Sequence, residues 1–147
     1  MKTVTPETLA AIFERVPALA ERVRGDDAAS IVASARSEIA RMTETERIAV
    51  LDAHPRIGAD AASLSALSRS EQGSATDVAT MRELAALNEE YERRFGFRFV
   101  VFVAGRSKAQ IVPIFRERLR HTREVELATA IDEFLSIARD RLERITS

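Results

Sequence analysis

Apolar residues recur at helical spacing along most of this chain, and only one stretch has the composition of a β-strand. That stretch has the sequence FGFRFVVFV and runs from Phe95 to Val103. Because no second run of this character exists to form a sheet with it, we expect a short, buried extended segment near Phe97–Val103. The pattern predicts an all-α fold: a single domain over residues 1–147, built as a bundle of about eight helices.

Capping residues and prolines set the expected helix boundaries. Thr43 and Glu46 have the spacing of a capping box, as do Ser107 and Gln110. Pro113 is expected to kink the helix that follows Ser107 or to delay its start. The expected helices span about 5–15, 17–25, 31–42, 43–53, 76–96, 107–120 and 122–145, and residues 60–67 form a weak helix or an ordered loop.

The composition excludes several classes of function. The chain has 22 Lys and Arg against 23 Asp and Glu, and the two signs are interspersed, so nothing favours nucleic acid or an anionic membrane as a partner. The absence of cysteine excludes disulfides, thiolate metal sites, iron–sulfur clusters and a cysteine nucleophile. The longest apolar run is far shorter than the ~20 residues that span a bilayer, and the first residues lack the features of a secretory signal. A soluble, cytoplasmic protein is expected.

Sequence motifs for metals and nucleotides are absent. The two histidines, His54 and His121, lie far apart, and neither belongs to an HExxH motif. The chain also lacks the GxSxG motif of hydrolases and the GxGxxG and Walker motifs of nucleotide-binding proteins. Neither a metal site nor a nucleotide site is therefore expected.

His54 opens the sequence HPRIG, which ends at Gly58, and it is a candidate acid or base. Because the residue before a proline is pushed out of the α region, the preceding helix should end at about Ala53 and leave His54 on a loop. The unperturbed pKa of histidine, about 6.5, lets the surroundings decide its charge near neutral pH. Taken alone, the position is explained better by the attraction of a histidine to the C-terminal end of a helix dipole.

Two further groups of polar residues stand out. Residues 68–71 have the spacing of a capping box, and a capped helix start also presents free amides and a carboxylate to a ligand. Arg141 lies beside the apolar stripe of the last helix, and a buried arginine needs a carboxylate, which Glu71 or an anionic substrate would supply. The charged neighbours on this helix are expected to point elsewhere: Arg139, Asp140, Glu143 and Arg144.

In combination, the motifs of this chain resemble one enzyme family. HPRIG is followed by S-x-x-E-Q at Ser68 to Gln72, by LN-x-x-Y-x-x-RFGF-x-FV from Leu87 to Val100, by GRSK, by the pair Arg118-Leu119 and by a final helix with Arg141-Leu142. This ordered set covers nearly the whole chain and resembles the 2-oxo-4-hydroxy-4-carboxy-5-ureidoimidazoline (OHCU) decarboxylases of urate breakdown. Two features depart from the family pattern. The stretch between HPRIG and S-x-x-E-Q is shorter than in some members, and His121 stands where an asparagine often follows the Arg-Leu pair.

The resemblance implies an all-helical, usually dimeric carboxy-lyase that needs no metal or cofactor and converts OHCU to (S)-allantoin and carbon dioxide. It implies that His54 is the catalytic acid or base and that Glu71 is its polarising partner or an acceptor for the ureido group; which of the two transfers the proton stays open. Ser68, Gln72 and backbone amides near Val100 would hold the ring, and Arg141 would hold an anionic or carbonyl oxygen. The residues implied in substrate binding are Pro55, Ser68, Arg69, Ser70, Gln72, Phe99, Val100, Val101, Phe102, Val103 and Arg141.

Two alternatives remain: a non-catalytic helical interaction module, in which the same motifs are caps and core, and a related helical enzyme that acts on another ureide. A module predicts a solvated His54 that lies apart from Glu71, next to an apolar surface groove. An enzyme predicts that His54, Glu71 and Arg141 converge on one small pocket. Only a substrate assay separates the two enzymes.

Overall fold

The computed structural model describes residues 5–13, 17–58 and 78–146. Seven α-helices lie in these residues, which contain no β-strand. In chain order they are α1 (Pro6–Ile12), α2 (Pro17–Arg22), α3 (Ala28–Ala40), α4 (Glu44–Asp52), α5 (Val78–Phe95), α6 (Lys108–Arg118) and α7 (Arg123–Thr146). The predicted all-α class is confirmed, whereas the weak helix or loop expected at 60–67 lies outside the described residues.

Side-chain caps start two of the helices where the sequence predicts them. The Thr43 hydroxyl accepts from the backbone N–H of Glu46 at 3.2 Å, and the Glu46 carboxylate accepts from the N–H of Thr43 at 3.0 Å. The bond from the Thr43 backbone lowers the pKa of the Glu46 carboxyl, because it stabilises the charged form. The same reciprocal pair joins Ser107 and Gln110 at the start of α6.

Pro113 lies inside α6, so of the two outcomes predicted for it, a kink or a delayed start, the delayed start is wrong. The helix begins at Lys108, directly after its N-cap, and runs through Pro113 to Arg118. Proline lacks a backbone N–H, so the helix loses the one hydrogen bond that this residue would donate to the carbonyl four residues earlier. The capping box and the burial of Ile111 and Phe115 stabilise the helix despite that loss.

α7 is the central helix, and it packs against α1, α3 and α4. Its apolar stripe is buried, including Phe134, Leu135, Ala138 and Leu142. On the other side of the fold, α5 packs against α6. None of the described helices is long and apolar enough to cross a membrane.

Between α5 and α6 the chain runs through the segment that the composition marked as extended. Gly96 ends α5 with a φ of +82°, and residues 98–103 carry no helix, turn or strand pairing. The segment is anchored in an aromatic cluster around the fully buried Tyr91, whose ring lies 5.3 Å from Phe99 and 5.7 Å from Phe115. A single extended segment is thus buried among helices, as the sequence predicts.

Candidate active site

A small cavity of about 60 Å³ lies where the loop after α4, the extended segment and α7 meet. Its lining consists of His54, Pro55, Ile57, Phe99, Val100, Val101, Phe102, Val103, Ala104, Gly105, Ile137, Asp140, Arg141 and Arg144. The cavity thus brings together the predicted site residues His54, Pro55, Phe99 to Val103 and Arg141. The other predicted members lie outside the described residues: Ser68, Arg69, Ser70, Glu71 and Gln72.

His54 lies in the cavity wall just after the C-terminal end of α4. The helix ends at Asp52 with Ala53 as its C-cap, as expected before a His-Pro pair. The backbone N–H of His54 donates to the carbonyl of Leu51 at 3.1 Å, and the imidazole meets the Phe134 ring edge to face at 5.0 Å. Only 6% of the residue is exposed. This burial argues against the interaction-module alternative, which predicts a solvated histidine.

Arg98 fastens the end of α4 to the extended segment. Its Nη1 donates to the carbonyls of Asp52 at 2.8 Å and His54 at 3.1 Å. In return, Oδ1 of Asp52 accepts from the backbone N–H of Arg98 at 2.9 Å. A cation at this position also interacts favourably with the C-terminal end of the helix dipole. Arg98 therefore holds the backbone of His54 against the segment that forms another wall of the cavity.

The rest of HPRIG is fastened to α5. Nδ2 of the buried Asn88 donates to the carbonyl of Ile57 at 3.0 Å. Arg56 pairs with Glu92 through two hydrogen bonds of 2.6 and 2.8 Å, and this bonding raises the pKa of the Arg56 guanidinium. Gly58 closes the loop with a φ of +82°, a conformation that glycine adopts without strain. The loop that carries His54 is thus held at several points.

Arg141 is buried in the wall that α7 forms, with 2% of the residue exposed. Its Nη1 donates to the carbonyls of Ala11 at 3.2 Å and Ile12 at 3.1 Å, at the C-terminal end of α1. The sequence predicts a carboxylate partner for Arg141. Among the described residues, these two backbone carbonyls accept hydrogen bonds from its guanidinium. Because Arg141 also borders the cavity, its planar guanidinium can bind a ligand oxygen as well as α1.

The expectation that all charged neighbours of Arg141 point elsewhere is wrong for Asp140 and Arg144. Both line the cavity, and Nε of Arg144 lies 3.0 Å from Oδ2 of Asp140. On a helix, the residues one before and three after a given residue project to the same side of it, roughly 100° and 60° away. The cavity covers this side of α7, so Asp140, Arg141 and Arg144 all line it.

Side chains take the place of a partner strand along one edge of the extended segment. Arg118 donates to the carbonyl of Val100. Arg106 donates to the carbonyl of Phe102 on the same edge at 2.5 Å, and also to the carbonyl of Val103, where the segment ends, at 2.9 Å. These arginines satisfy carbonyl groups that a neighbouring strand would bind in a sheet.

Val101 presents the opposite edge of this segment. The residue is 7% exposed and borders the cavity, yet neither its N–H nor its C=O has a hydrogen bond to any residue that the structure describes. In a trans peptide the N–H of Val101 points opposite to the C=O of Val100, and so away from Arg118. Because buried backbone groups are nearly always paired, these two suit a ligand that offers both a donor and an acceptor.

Sequence reasoning missed Asn88 and Arg98 as residues that hold the site. Asn88 carried a signal, since it lies four residues after Leu84 and three before Tyr91 on the buried face of α5, where a polar side chain needs a partner. Arg98 carried no such signal, because the carbonyls that it binds lie 46 and 44 residues away in the chain.

The cavity is bordered by an imidazole, a buried guanidinium and the N–H and C=O of Val101, which have no hydrogen bond to any residue that the structure describes. Such groups transfer protons and stabilise negative charge. Within the described residues there is no group of three or more His, Asp or Glu side chains suited to a metal ion.

Comparison with known proteins extends these observations. Residues 2–143 match the family model described as OHCU decarboxylase. A 2-oxo-4-hydroxy-4-carboxy-5-ureidoimidazoline decarboxylase of Haloferax volcanii is 34% identical over 145 residues, which cover 92% of this chain and 86% of that protein. A uric acid degradation bifunctional protein of a Bacillus species is 30% identical over 93% of this chain, which spans only 29% of that longer protein.

The fold also matches a solved structure. The crystal structure of an OHCU decarboxylase in the presence of (S)-allantoin aligns with a TM-score of 0.74 at 23% identity. The alignment covers 96% of this chain and 97% of that chain. By its sequence, and with a fold that agrees, this chain belongs to the OHCU decarboxylase family.

Proposed function

We propose that this chain is a carboxy-lyase that converts OHCU to (S)-allantoin and carbon dioxide in urate breakdown. The observation that carries the proposal is the single cavity that His54, Arg141 and residues 99–103 border in a member of this family. These residues supply an acid–base group, a cation and, at Val101, backbone groups that have no hydrogen bond to any described residue. This set matches what the decarboxylation requires.

The reaction needs few groups. The bond between the hydroxyl-bearing ring carbon and its carboxylate breaks, carbon dioxide leaves, and the electron pair passes to the adjacent ring imine, whose nitrogen takes up a proton. The hydroxyl then loses its proton as it becomes the ring carbonyl of allantoin, and the ureido-bearing carbon takes up a proton on one face. Because the imine accepts the electrons, this step requires no metal and no organic cofactor. The protein must orient the carboxylate out of the ring plane, stabilise the developing anion and deliver a proton to one face.

His54 is the general acid or base in this proposal. Its burial beside Phe134 keeps bulk water from the imidazole, and the bond from Arg98 to its carbonyl limits its movement. Both features support proton transfer in a fixed geometry, which contributes about 10²–10⁴-fold to the rate. Glu71 is assigned as the polarising partner of His54 or as an acceptor for the ureido group.

Arg141 and Val101 are assigned to the polar groups of the substrate. The guanidinium of Arg141 offers charge-assisted hydrogen bonds to an anionic or carbonyl oxygen. The N–H and C=O of Val101 fit the complementary acceptor and donor of the ring or the ureido group. The other substrate-binding assignments are Pro55, Ser68, Arg69, Ser70, Gln72, Phe99, Val100, Phe102 and Val103.

The partners and location of the chain stay predictions. The resemblance to the family implies a homodimer. The formal net charge of −1 supports the absence of nucleic-acid and anionic-membrane partners. The lack of cysteine fits a location in the reducing cytoplasm.

The test uses OHCU generated in situ from urate, because this intermediate is unstable. Its loss is followed together with the optical activity of the product, and the uncatalysed decay provides the baseline. We expect the wild-type chain to accelerate the loss and to give one enantiomer of allantoin. His54→Asn should reduce the enzyme-dependent rate by about 10²–10⁴-fold while the helical circular dichroism stays unchanged.

Each result bears on a different part of the proposal. A wild-type chain that neither accelerates the decay nor yields optically active allantoin would refute the function and favour another ureide as substrate. A folded His54→Asn variant with near-wild-type turnover would remove only His54 from the mechanism.

A further inference from the structure

A buried ionic cluster, formed by Tyr91, Arg118 and Glu126, contacts the extended segment outside the cavity. Nδ1 of the partly exposed His121 lies 2.9 Å from Oε2 of Glu126, at the edge of this cluster. Nε of Arg118 donates to Oε1 of Glu126 at 2.6 Å, and the hydroxyl of Tyr91 donates to the same oxygen at 2.5 Å. Arg118 is 4% exposed, and the other two residues are fully buried. The proposed chemistry uses none of these side chains.

Arg118 contacts two residues of the cavity wall but does not itself border the cavity. Its Nη1 donates to the carbonyl of Val100, and its guanidinium carbon lies 4.4 Å from the centroid of the Phe99 ring. The Phe99 ring in turn stacks on Phe115 at 3.7 Å. Val100 and Phe99 border the cavity, whereas Arg118 does not. The cluster is therefore connected to the site through one peptide group and one aromatic ring.

Stability alone does not account for this cluster. Buried charges lose their hydration on folding, and apolar replacements of similar volume are often neutral or stabilising. The cluster instead fixes the orientation of Arg118. Glu126 holds the planar guanidinium so that Nη1 donates to the carbonyl of Val100. Burial raises the pKa of the Tyr91 hydroxyl, which therefore keeps its proton and continues to donate to Glu126.

We propose that Arg118, held by Glu126 and Tyr91, is a positioning residue that fixes the peptide plane between Val100 and Val101. With the carbonyl of Val100 bound to Arg118, the N–H of Val101, a residue that borders the cavity, is held in the opposite direction, away from Arg118. A segment without a partner strand has no ladder to set this orientation. The inference rests on the proposed function, because the substrate is the ligand that Val101 would bind.

The test replaces the whole cluster by apolar side chains of similar volume. The triple variant Arg118→Met, Glu126→Leu, Tyr91→Phe removes the buried charges and the buried hydroxyl together. It leaves two groups without their partners: the carbonyl of Val100 and the partly exposed imidazole of His121. Arg47→Met is the matched control, since Arg47 also donates to two backbone carbonyls, at 3.1 and 2.9 Å, but lies away from the cavity. Thermal melts, kcat and KM are measured for both variants.

We expect the triple variant to fold, with a Tm lowered by the roughly 2–12 °C that one unsatisfied carbonyl costs. It should lose about 10- to 100-fold in kcat, because a small misplacement of a binding group impairs the reaction. Arg47→Met should keep the wild-type kcat. A folded triple variant with wild-type kcat and KM would overturn the inference. If the triple variant does not fold, Arg118→Lys is tested in its place. This variant keeps a positive charge beside Glu126 but lacks the planar guanidinium. Wild-type kinetics in Arg118→Lys would also overturn the inference.

A readout independent of activity separates this inference from the proposed function. The backbone amide resonance of Val101 should shift in Arg118→Lys and stay in place in Arg47→Met. An unshifted Val101 resonance would overturn the positioning role even in an active enzyme. An inactive wild type would instead refute the function, whatever this resonance does.

Discussion

Replacing Asn88 by leucine should loosen the loop that carries His54. Nδ2 of Asn88 donates to the carbonyls of Ile57 at 3.0 Å and Leu84 at 2.9 Å, and the residue is 4% exposed. The carbonyl of Leu84 also accepts the helical N–H of Asn88, so it stays bonded in the variant. The carbonyl of Ile57 has no other hydrogen bond within the described residues, and it would be left unsatisfied.

The expected loss of stability follows from that one carbonyl. Leaving a buried acceptor without its donor costs about 1–3 kcal/mol, and the similar volume of leucine avoids a further loss from a cavity. For a chain of 147 residues, each kcal/mol corresponds to roughly 2–4 °C, so Tm should fall by roughly 2–12 °C. The rate constant kcat should fall by up to about 100-fold, less if Arg98 alone keeps His54 in place.

Thermal melts and OHCU turnover check this prediction. Glu89→Leu is the control, since it introduces the same side chain at the neighbouring exposed position of α5 and should leave kcat unchanged. An Asn88→Leu variant that matches the wild type in both Tm and kcat would show that the hydrogen bond to Ile57 does not hold the loop.

Two further predictions concern Arg141 and Tyr91. Arg141→Lys keeps a cation at the end of α1 but loses the planar guanidinium, so the main effect should be a fall in kcat/KM and the effect on Tm should be smaller. Arg141→Met should also destabilise the fold by about 1.5–3 kcal/mol for each charged hydrogen bond that it loses. Normal turnover in both variants would refute the substrate-binding role. Tyr91 is the only tyrosine, in a chain without tryptophan, so near-ultraviolet absorbance reports its ionisation alone. Burial raises its pKa in the folded chain, so the stabilisation is complete below the unfolded pKa of about 10 and declines above it by about 1.4 kcal/mol per pH unit. Tyrosinate should therefore form only as the chain unfolds, and Tyr91→Phe should lack this alkaline decline; tyrosinate absorbance from a still-helical chain near pH 10 would contradict the prediction.

Local chemistry explains which parts of the fold could be predicted from the sequence. The capping boxes at Thr43 and Ser107 are complete within four residues, and the end of α4 follows from Pro55 alone. The extended segment was predictable from its isolated strand-like composition. The sequence also predicts a helix from about 107 to 120, but it leaves open whether Pro113 would delay the start, because burial and capping decide whether the loss of one hydrogen bond is tolerated.

The candidate site was predictable in part, for a different reason. The motifs and their family resemblance pointed to His54 and Arg141, which border one cavity. The contacts that hold these residues join distant parts of the chain, such as Arg98 with the end of α4 and Arg141 with the end of α1. Such contacts depend on how the helices pack, and no local spacing encodes them.

The unpaired extended segment explains how a helical bundle can offer backbone groups to a ligand. In a helix interior every N–H and C=O is already bonded, and in a sheet the partner strands take both edges. Here arginine side chains bind the carbonyls of Val100 and Phe102 along one edge, and the N–H and C=O of Val101, which borders the cavity, have no hydrogen bond to any described residue. Backbone groups held in this way need little reorganisation when charge develops on a substrate, which is the condition under which hydrogen bonds stabilise a transition state most strongly. The buried Arg118 would then be selected for the geometry of the site, and its desolvation is the cost in stability of that geometry.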